Sequence, residues 1–130
     1  MKFDELFWPD SQIKFLYIKS DLAELVVFND LLKEIVKIEC KNLIGLSELC
    51  MWDDTVIFDT KYYKISGEEI LTSKDPFLQK FSAAYDASDL CFDYGGKKIG
   101  DGIVILEIML SNFIWFRIYC QDIEVLRSDD

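Results

Sequence analysis

Residues 103–126 constrain the fold of this chain more than any other stretch. They read Ile-Val-Ile-Leu-Glu-Ile-Met-Leu from Ile103, then Ser111-Asn112, then Phe-Ile-Trp-Phe-Arg-Ile-Tyr-Cys from Phe113, and Gln-Asp-Ile-Glu-Val-Leu from Gln121. Two runs rich in β-branched and aromatic residues flank a short polar break, which is the pattern of a β-hairpin. A two-residue loop at Ser111-Asn112 would pair Glu107 with Phe116. A three-residue loop, Ser111-Asn112-Phe113, pairs Glu107 with Arg117 instead. In that register Val104, Leu106, Ile108 and Leu110 share a face with Ile114, Phe116, Ile118 and Cys120. The other face carries Ile105, Glu107 and Met109 against Trp115, Arg117 and Tyr119. A one-residue slip moves every side chain to the opposite face, so the cleaner segregation selects the three-residue loop. An asparagine at or near a position with φ > 0 suits such a loop. The hairpin therefore has one apolar face for a core and one mixed face, either a covered sheet surface or a binding surface.

At 130 residues the chain is expected to form one domain, 1–130, and to remove about two-thirds of its unfolded surface from water. Hydrophobic residues make up 51% and aromatics 15%, a composition that excludes a disordered chain. No apolar run reaches the roughly 18 residues of a membrane span. The N-terminus, Met1-Lys2-Phe3-Asp4-Glu5, carries acids where a signal peptide needs a basic region and an apolar core, so a cytoplasmic protein is expected. The formal charge of −10 repels nucleic acid and anionic membrane and leaves two readings: solubility, or a partner with a basic surface. Cys40, Cys50, Cys91 and Cys120 form no Cys-x-x-Cys pair and read as buried thiols. With no histidine and no paired cysteine spacing, neither zinc nor any other cofactor is expected.

Along the chain, Phe3 to Trp8 reads as a helical turn or an arm pinned by its aromatics, before Pro9. Strands are expected over 12–19, 22–28 and 34–43, the last from the alternation of Val36, Ile38 and Cys40 with Lys37, Glu39 and Lys41. Residues 43–52 are ambiguous, and Asp53-Asp54 marks a turn. Thr55 to Ile65 is strand-like, bent near Asp59-Thr60, and Glu68 to Thr72 reads as a short edge strand. Asp75 as N-cap and Pro76 at the first helical position open the one expected helix, about 75–86, with Phe77, Leu78, Phe81, Ala84 and Tyr85 at helical spacing. Residues 88–94 read as a strand and 95–102 as a loop. The fold class is α+β, mainly β: a twisted antiparallel sheet, sandwich or half-barrel with one short helix.

Tests for chemistry return little. Without histidine, Ser-His-Asp and Cys-His sites are excluded. The loop Gly95-Gly96-Lys97-Lys98-Ile99-Gly100-Asp101-Gly102 lacks the Gly-Lys-Ser/Thr of a phosphate loop and leads into a strand. Asp53-Asp54 and Glu68-Glu69 are adjacent pairs, which point to opposite faces of a strand. Asp86, Asp89 and Asp93 lack the spacing of a calcium loop. A non-enzyme is expected. Trp8, Trp52, Trp115, Tyr62, Tyr63 and Tyr119 exceed what one core of this size needs, so a subset beside acids would make a protein-binding surface.

The opening Leu6-Phe7-Trp8-Pro9-Asp10-Ser11-Gln12-Ile13, the closing Phe116-Arg117-Ile118-Tyr119-Cys120-Gln121-Asp122-Ile123-Glu124-Val125, and the short strands with a small late helix between them form a layout. That layout resembles small immunity proteins of bacterial polymorphic and contact-dependent toxin systems. The resemblance implies an acidic, cytoplasmic, non-catalytic inhibitor that binds a cognate toxin, often a nuclease, and covers its active site. For such a protein the acids Asp53, Asp54, Glu68, Glu69, Asp86 and Asp89, with Trp52, Tyr62 and Tyr63, are the candidate partner-binding residues, because they fall near expected turns and edges. The alternative is a small-ligand-binding β-fold carrier, with aromatics lining a cavity, or a regulatory domain.

Overall fold

The computed structural model describes residues 2–47, 55–82, 85–86, 91–94, 97–99 and 103–127; for 47, 81–82, 85–86, 91–94 and 97–99 the backbone alone is described. A 3-10 turn at Phe3–Glu5 precedes strands β1 (Gln12–Lys19), β2 (Leu22–Asn29), β3 (Glu34–Lys41), β4 (Gly45–Ser47) and β5 (Ile57–Ile65). Helices α1 (Gly67–Thr72) and α2 (Pro76–Ser82) follow. The chain then forms β6 (Tyr85–Asp86), β7 (Cys91–Tyr94), β8 (Lys97–Ile99), β9 (Ile103–Leu110), β10 (Trp115–Cys120) and β11 (Asp122–Arg127). All strand pairs are antiparallel. One sheet has the order β1-β2-β3-β11, a second β4-β10-β9-β5, and β6-β7-β8 make a small third.

The β9–β10 hairpin adopts the three-residue register, with Glu107 opposite Arg117 and Phe116 opposite Ile108. In its loop Phe113, next to Asn112, takes the left-handed backbone, with φ 66°. The Asn112 side chain instead accepts a hydrogen bond from the Ile114 N–H at 3.1 Å.

Two strands carry the chain between the large sheets. Lys41 faces Asp122 in the first sheet, and Tyr119 faces Gly45 in the second. Between them Gln121 N–H donates to the Lys41 carbonyl at 3.0 Å and Ile44 N–H to the Tyr119 carbonyl at 2.8 Å. The paired strands β3–β4 and β10–β11 thus form one bent ribbon shared by both sheets. The period-two alternation in β2 and β3 now has its cause. Ala23, Leu25, Val27, Val36, Ile38 and Cys40 meet Val104, Leu106, Ile108, Leu110, Phe116, Ile118 and Cys120, all 2% exposed or less. Cys40 and Cys120 are buried free thiols; a hydrogen bond between them, with burial, pushes the Cys40 thiol pKa up. Cys50 lies outside the described residues, and of Cys91 only the backbone is described.

Helices cover the other face of the second sheet. Ile70 of α1 and Leu78 of α2 pack on Ile103, Ile105 and Tyr119, with Ile44, Tyr63, Ile65 and Phe77 around them. The expected edge strand at 68–72 is the helix α1. Ser66 accepts the Glu69 N–H at 3.3 Å while the Glu69 carboxylate accepts the Ser66 N–H, a reciprocal cap that outweighs weak strand propensity. The expected helix at 75–86 is shorter, ending at Ser82, and Tyr85–Asp86 pairs as β6 with β7. Asp75 does cap it: its Oδ1 accepts the Phe77 N–H at 2.9 Å, and its Oδ2 accepts the Tyr119 hydroxyl at 2.7 Å. Phe77 stacks on Tyr119 with centroids 4.1 Å apart. Gly45 allows this, since a Cβ there would lie 2.3 Å from Phe77 Cζ. Within the expected 95–102 loop, Lys97–Ile99 is a strand; 95–96 and 100–102 lie outside the described residues. The mainly-β α+β fold is the observed one, with a second helix added.

Phe116 is fully buried at the centre of this packing. Phe116→Ala is expected to lower stability by about 3–5 kcal/mol, because the lost ring leaves a cavity between two strongly constrained sheets. Equilibrium denaturation of the two proteins measures it; an unchanged midpoint would refute the packing.

Candidate interaction surface

Two polar side chains, Ser11 and Asn29, are completely buried where β1 begins and β2 ends. Buried polar groups are retained where they are hydrogen-bonded, and both are. Asn29 Nδ2 donates to the Phe7 carbonyl at 3.0 Å, and Asn29 Oδ1 accepts the Leu32 N–H at 2.9 Å. Ser11 Oγ accepts the Asp30 N–H at 3.1 Å. On the other side, Ser11's carbonyl accepts the Ile57 N–H at 2.8 Å, and Asp10 N–H donates to the Ile57 carbonyl at 2.8 Å. Ser111 N–H reaches the Val56 carbonyl at 2.9 Å. The segment 7–11 therefore binds the β2–β3 loop, the start of β5 and, through it, the β9–β10 loop into one end of the sandwich. Trp8 anchors the segment from below: it is buried, stacks 4.9 Å from Phe3, and donates its indole N–H to the Phe3 carbonyl at 2.9 Å.

This scaffold displays large apolar side chains to solvent. Phe7 is 56% exposed, Leu31 69%, Phe58 52% and Phe113 70%. Phe58, at the bulge of β5, meets Phe113 edge-on at 5.6 Å. Three non-glycine residues here hold left-handed backbone: Asp10 (φ 67°), Lys33 (φ 56°) and Phe113 (φ 66°). Each such residue costs about 1–2 kcal/mol, and such costs gather at functional sites. Exposed Asp10, exposed Asp59 and half-exposed Asp30 stand among the apolar residues, with Asp30 paired to Lys33 at 3.0 Å.

A second constellation lies on the mixed face of the hairpin. Glu107 is 9% exposed; its Oε1 accepts the Tyr63 hydroxyl at 2.7 Å and Arg117 Nε at 2.9 Å. The hydrogen bond to Glu107 raises the Arg117 pKa. Burial first, then the Glu107 hydrogen bond, pushes the Tyr63 phenol up to about 12. Tyr63 thus stays neutral and Arg117 protonated through neutral pH, so these two serve as a clamp across β5, β9 and β10 rather than as a proton relay. Lys61 Nζ sits 5.6 Å from the Trp115 ring centroid beside it. Among the described residues no group of three Cys, Asp or Glu side chains is placed to hold a metal ion.

The residues expected to bind a partner are only partly described. Trp52, Asp53, Asp54 and Asp89 lie outside the described residues, and of Asp86 only the backbone is described, in β6. Glu69 is engaged in the α1 cap, and Glu68 is exposed on the same helix. Tyr62 and Tyr63 alternate along β5: Tyr62 packs 5.6 Å from Phe3, beside the core, and Tyr63 reaches Glu107 on the other face. The exposed quartet was missed, though it carried a signal. Leu31 in Asn29-Asp30-Leu31-Leu32-Lys33 and Phe113 after Ser111-Asn112 are large apolar residues in turns, where polar residues dominate. No protein-family model and no curated protein sequence matches the chain. No helix among the described residues is long and apolar enough to cross a membrane.

Asn29→Ala would leave two part-buried groups, the Phe7 carbonyl and the Leu32 N–H, without their side-chain partner at once. It is expected to cost about 1–3 kcal/mol in all, because water can reach groups that are only part-buried. Amide exchange should speed up at Leu32 while the centre of β9 stays protected. Stability should also fall in alkali. The folded Tyr63 pKa lies above the ordinary value of 10.0, so its contribution is intact below pH 10 and is lost as pH rises towards about 12. Denaturation curves of wild type and Tyr63→Phe should converge across that window; a constant difference would place the phenol outside the clamp.

Proposed function

We propose that this chain is a non-catalytic binding protein: an immunity protein that neutralises a cognate toxin domain by covering its active site. The observation that carries this reading is the exposed apolar quartet: Phe7 and Leu31 on segments fixed by the buried Ser11 and Asn29, Phe58 at the β5 bulge, and Phe113 on the hairpin loop beside it. Loops on a rigid scaffold carry recognition more often than strand interiors do, and exposed aromatic anchors ringed by polar residues match the anatomy of binding hot spots. Ordering these loops in advance reduces the entropy lost on association. The net charge of −10 selects the partner's sign: a basic toxin surface, as on a domain that handles nucleic acid. A cytoplasmic site of action belongs to the same proposal, since a toxin entering the cell is met there.

The test is co-expression with the toxin domain encoded beside the gene, followed by association and dissociation rates of the purified pair at low and high salt. Leu31→Asp and Phe113→Asp should abolish protection and speed dissociation, each costing about 2 kcal/mol or more. Asp10→Lys and Asp59→Lys should chiefly slow association and flatten its salt dependence. Asp53 and Asp54, which precede Thr55 in the sequence, are reversed alongside them. Glu68→Lys on α1 is the control for charge alone. Unchanged protection and unchanged rates in the Leu31 and Phe113 variants would reject this surface.

A further inference from the structure

The bend of the shared ribbon brings two nucleophilic side chains together. Cys40 lies in β3 of the first sheet, and Cys120 ends β10 of the second. The residues that follow them are joined, the Gln121 N–H donating to the Lys41 carbonyl at 3.0 Å. Both cysteines are fully buried in one core cluster, and their side chains are hydrogen-bonded to each other as free thiols. Their cross-strand neighbours are apolar: Ala23 and Ile123 for Cys40, Val104 for Cys120. Two sulfurs close enough to share a proton need little motion to bond. We propose that Cys40 and Cys120 form a latent disulfide, which a peroxide closes to tie the first sheet to the second at the bend.

The chemistry runs in two steps. One sulfur attacks a peroxide oxygen, the O–O bond breaks, and a sulfenic acid forms as the first water leaves. The second sulfur attacks the sulfenic sulfur and expels its oxygen as the second water. Across both steps two S–H bonds and one O–O bond break, and one S–S bond forms. The sulfurs lose the two electrons that the peroxide gains. The site controls both rate and product. The hydrogen bond from Cys120, then burial, pushes the Cys40 thiol pKa up, so the thiolate is scarce in the closed fold and the first step waits on local opening. Once formed, the sulfenic acid meets a thiol already in contact with it, which intercepts it before further oxidation. A disulfide is uncharged and suits this apolar surrounding, whereas a sulfinate would bury a charge. The loop it closes, 40–120, takes in more than half of the chain, and the constraint on the unfolded state grows with loop length. The oxidised form is therefore the more stable one. The pair sits at the ends of β3 and β10 away from Lys33 and Phe113, so the lock is independent of the interaction surface proposed above.

The test treats the folded full chain with hydrogen peroxide and follows it by intact mass, peptide mapping and thermal melting. The expected product is lighter by two hydrogens, yields a linked peptide pair containing Cys40 and Cys120, and melts roughly 10 °C higher until a reductant reverses the shift. The map is made on the wild-type chain, so it does not depend on any variant folding. The melting comparison uses Cys50→Ala with Cys91→Ala, which leaves Cys40 and Cys120 as the remaining thiols, and the same chain with Cys120→Ala added should show no reversible rise. Retention of both thiols at peroxide levels that oxidise a free cysteine peptide would overturn the proposal. So would a gain of oxygen at either sulfur in place of the linked peptide, a link between two chains, or a Cys40–Cys120 disulfide that leaves the midpoint unchanged.

Discussion

The fold depends on a strand with no solvent face. β9 packs one side against the first sheet and the other against the helices, and seven of its eight residues are buried. A strand covered on both sides needs an almost continuous apolar run, and Ile103 to Leu110 supplies one, broken only by Glu107. Its neighbours follow from it. β10 reaches it through the three-residue loop, β5 lies along its other edge, and β10 continues through the bend into β11, which brings the first sheet over the top. The position of the helices also follows, because Ile103 and Ile105 would otherwise face water beside Tyr119.

Glu107 then has a structural reason that stability alone does not provide. A nearly buried carboxylate is expensive to desolvate, and replacing an ion pair of this kind by apolar residues is often neutral or stabilising. A hairpin of Ile, Leu, Val, Met and Phe on both faces, however, can slide by one residue at small cost in hydrophobic burial. The slip would carry Glu107 into the space between the sheets, away from Tyr63 and Arg117. The clamp therefore penalises the wrong register more than it strengthens the right one.

Much of this was legible because the physics is local or periodic. The 103–126 hairpin, its loop length, the Glu107–Arg117 pairing and the strands expected at 12–19, 22–28 and 34–43, observed as Gln12–Lys19, Leu22–Asn29 and Glu34–Lys41, follow from alternation and turn chemistry. The helix at 67–72 was legible in principle, since Ser66-Gly67-Glu68-Glu69 spells a capping box, but six residues carry too little periodicity to outvote the adjacent strand pattern. The shortening of α2 at Ser82 has its observed counterpart in the pairing of Tyr85–Asp86 with β7, a non-local contact that no window of sequence contains. The exposed apolar residues were the least legible. Leu31, Phe58, Phe113 and Phe7 lie far apart in sequence, and their segments are joined by non-local hydrogen bonds: Asn29 to the Phe7 carbonyl, Ser11 to the Asp30 N–H and, through its carbonyl, to the Ile57 N–H, and the Ser111 N–H to the Val56 carbonyl.

That gathering also explains why an aromatic residue occupies the left-handed position of the hairpin loop. Glycine at residue 113 would remove the backbone cost, and asparagine would reduce it. Neither would offer a ring to Phe58. For a chain selected for stability alone, the phenylalanine is the poorer choice on two counts: backbone conformation and exposed apolar area. Under the proposed function both disadvantages become advantages, because a partner covering the loop removes the area from water and the loop has already been ordered by the hairpin beneath it.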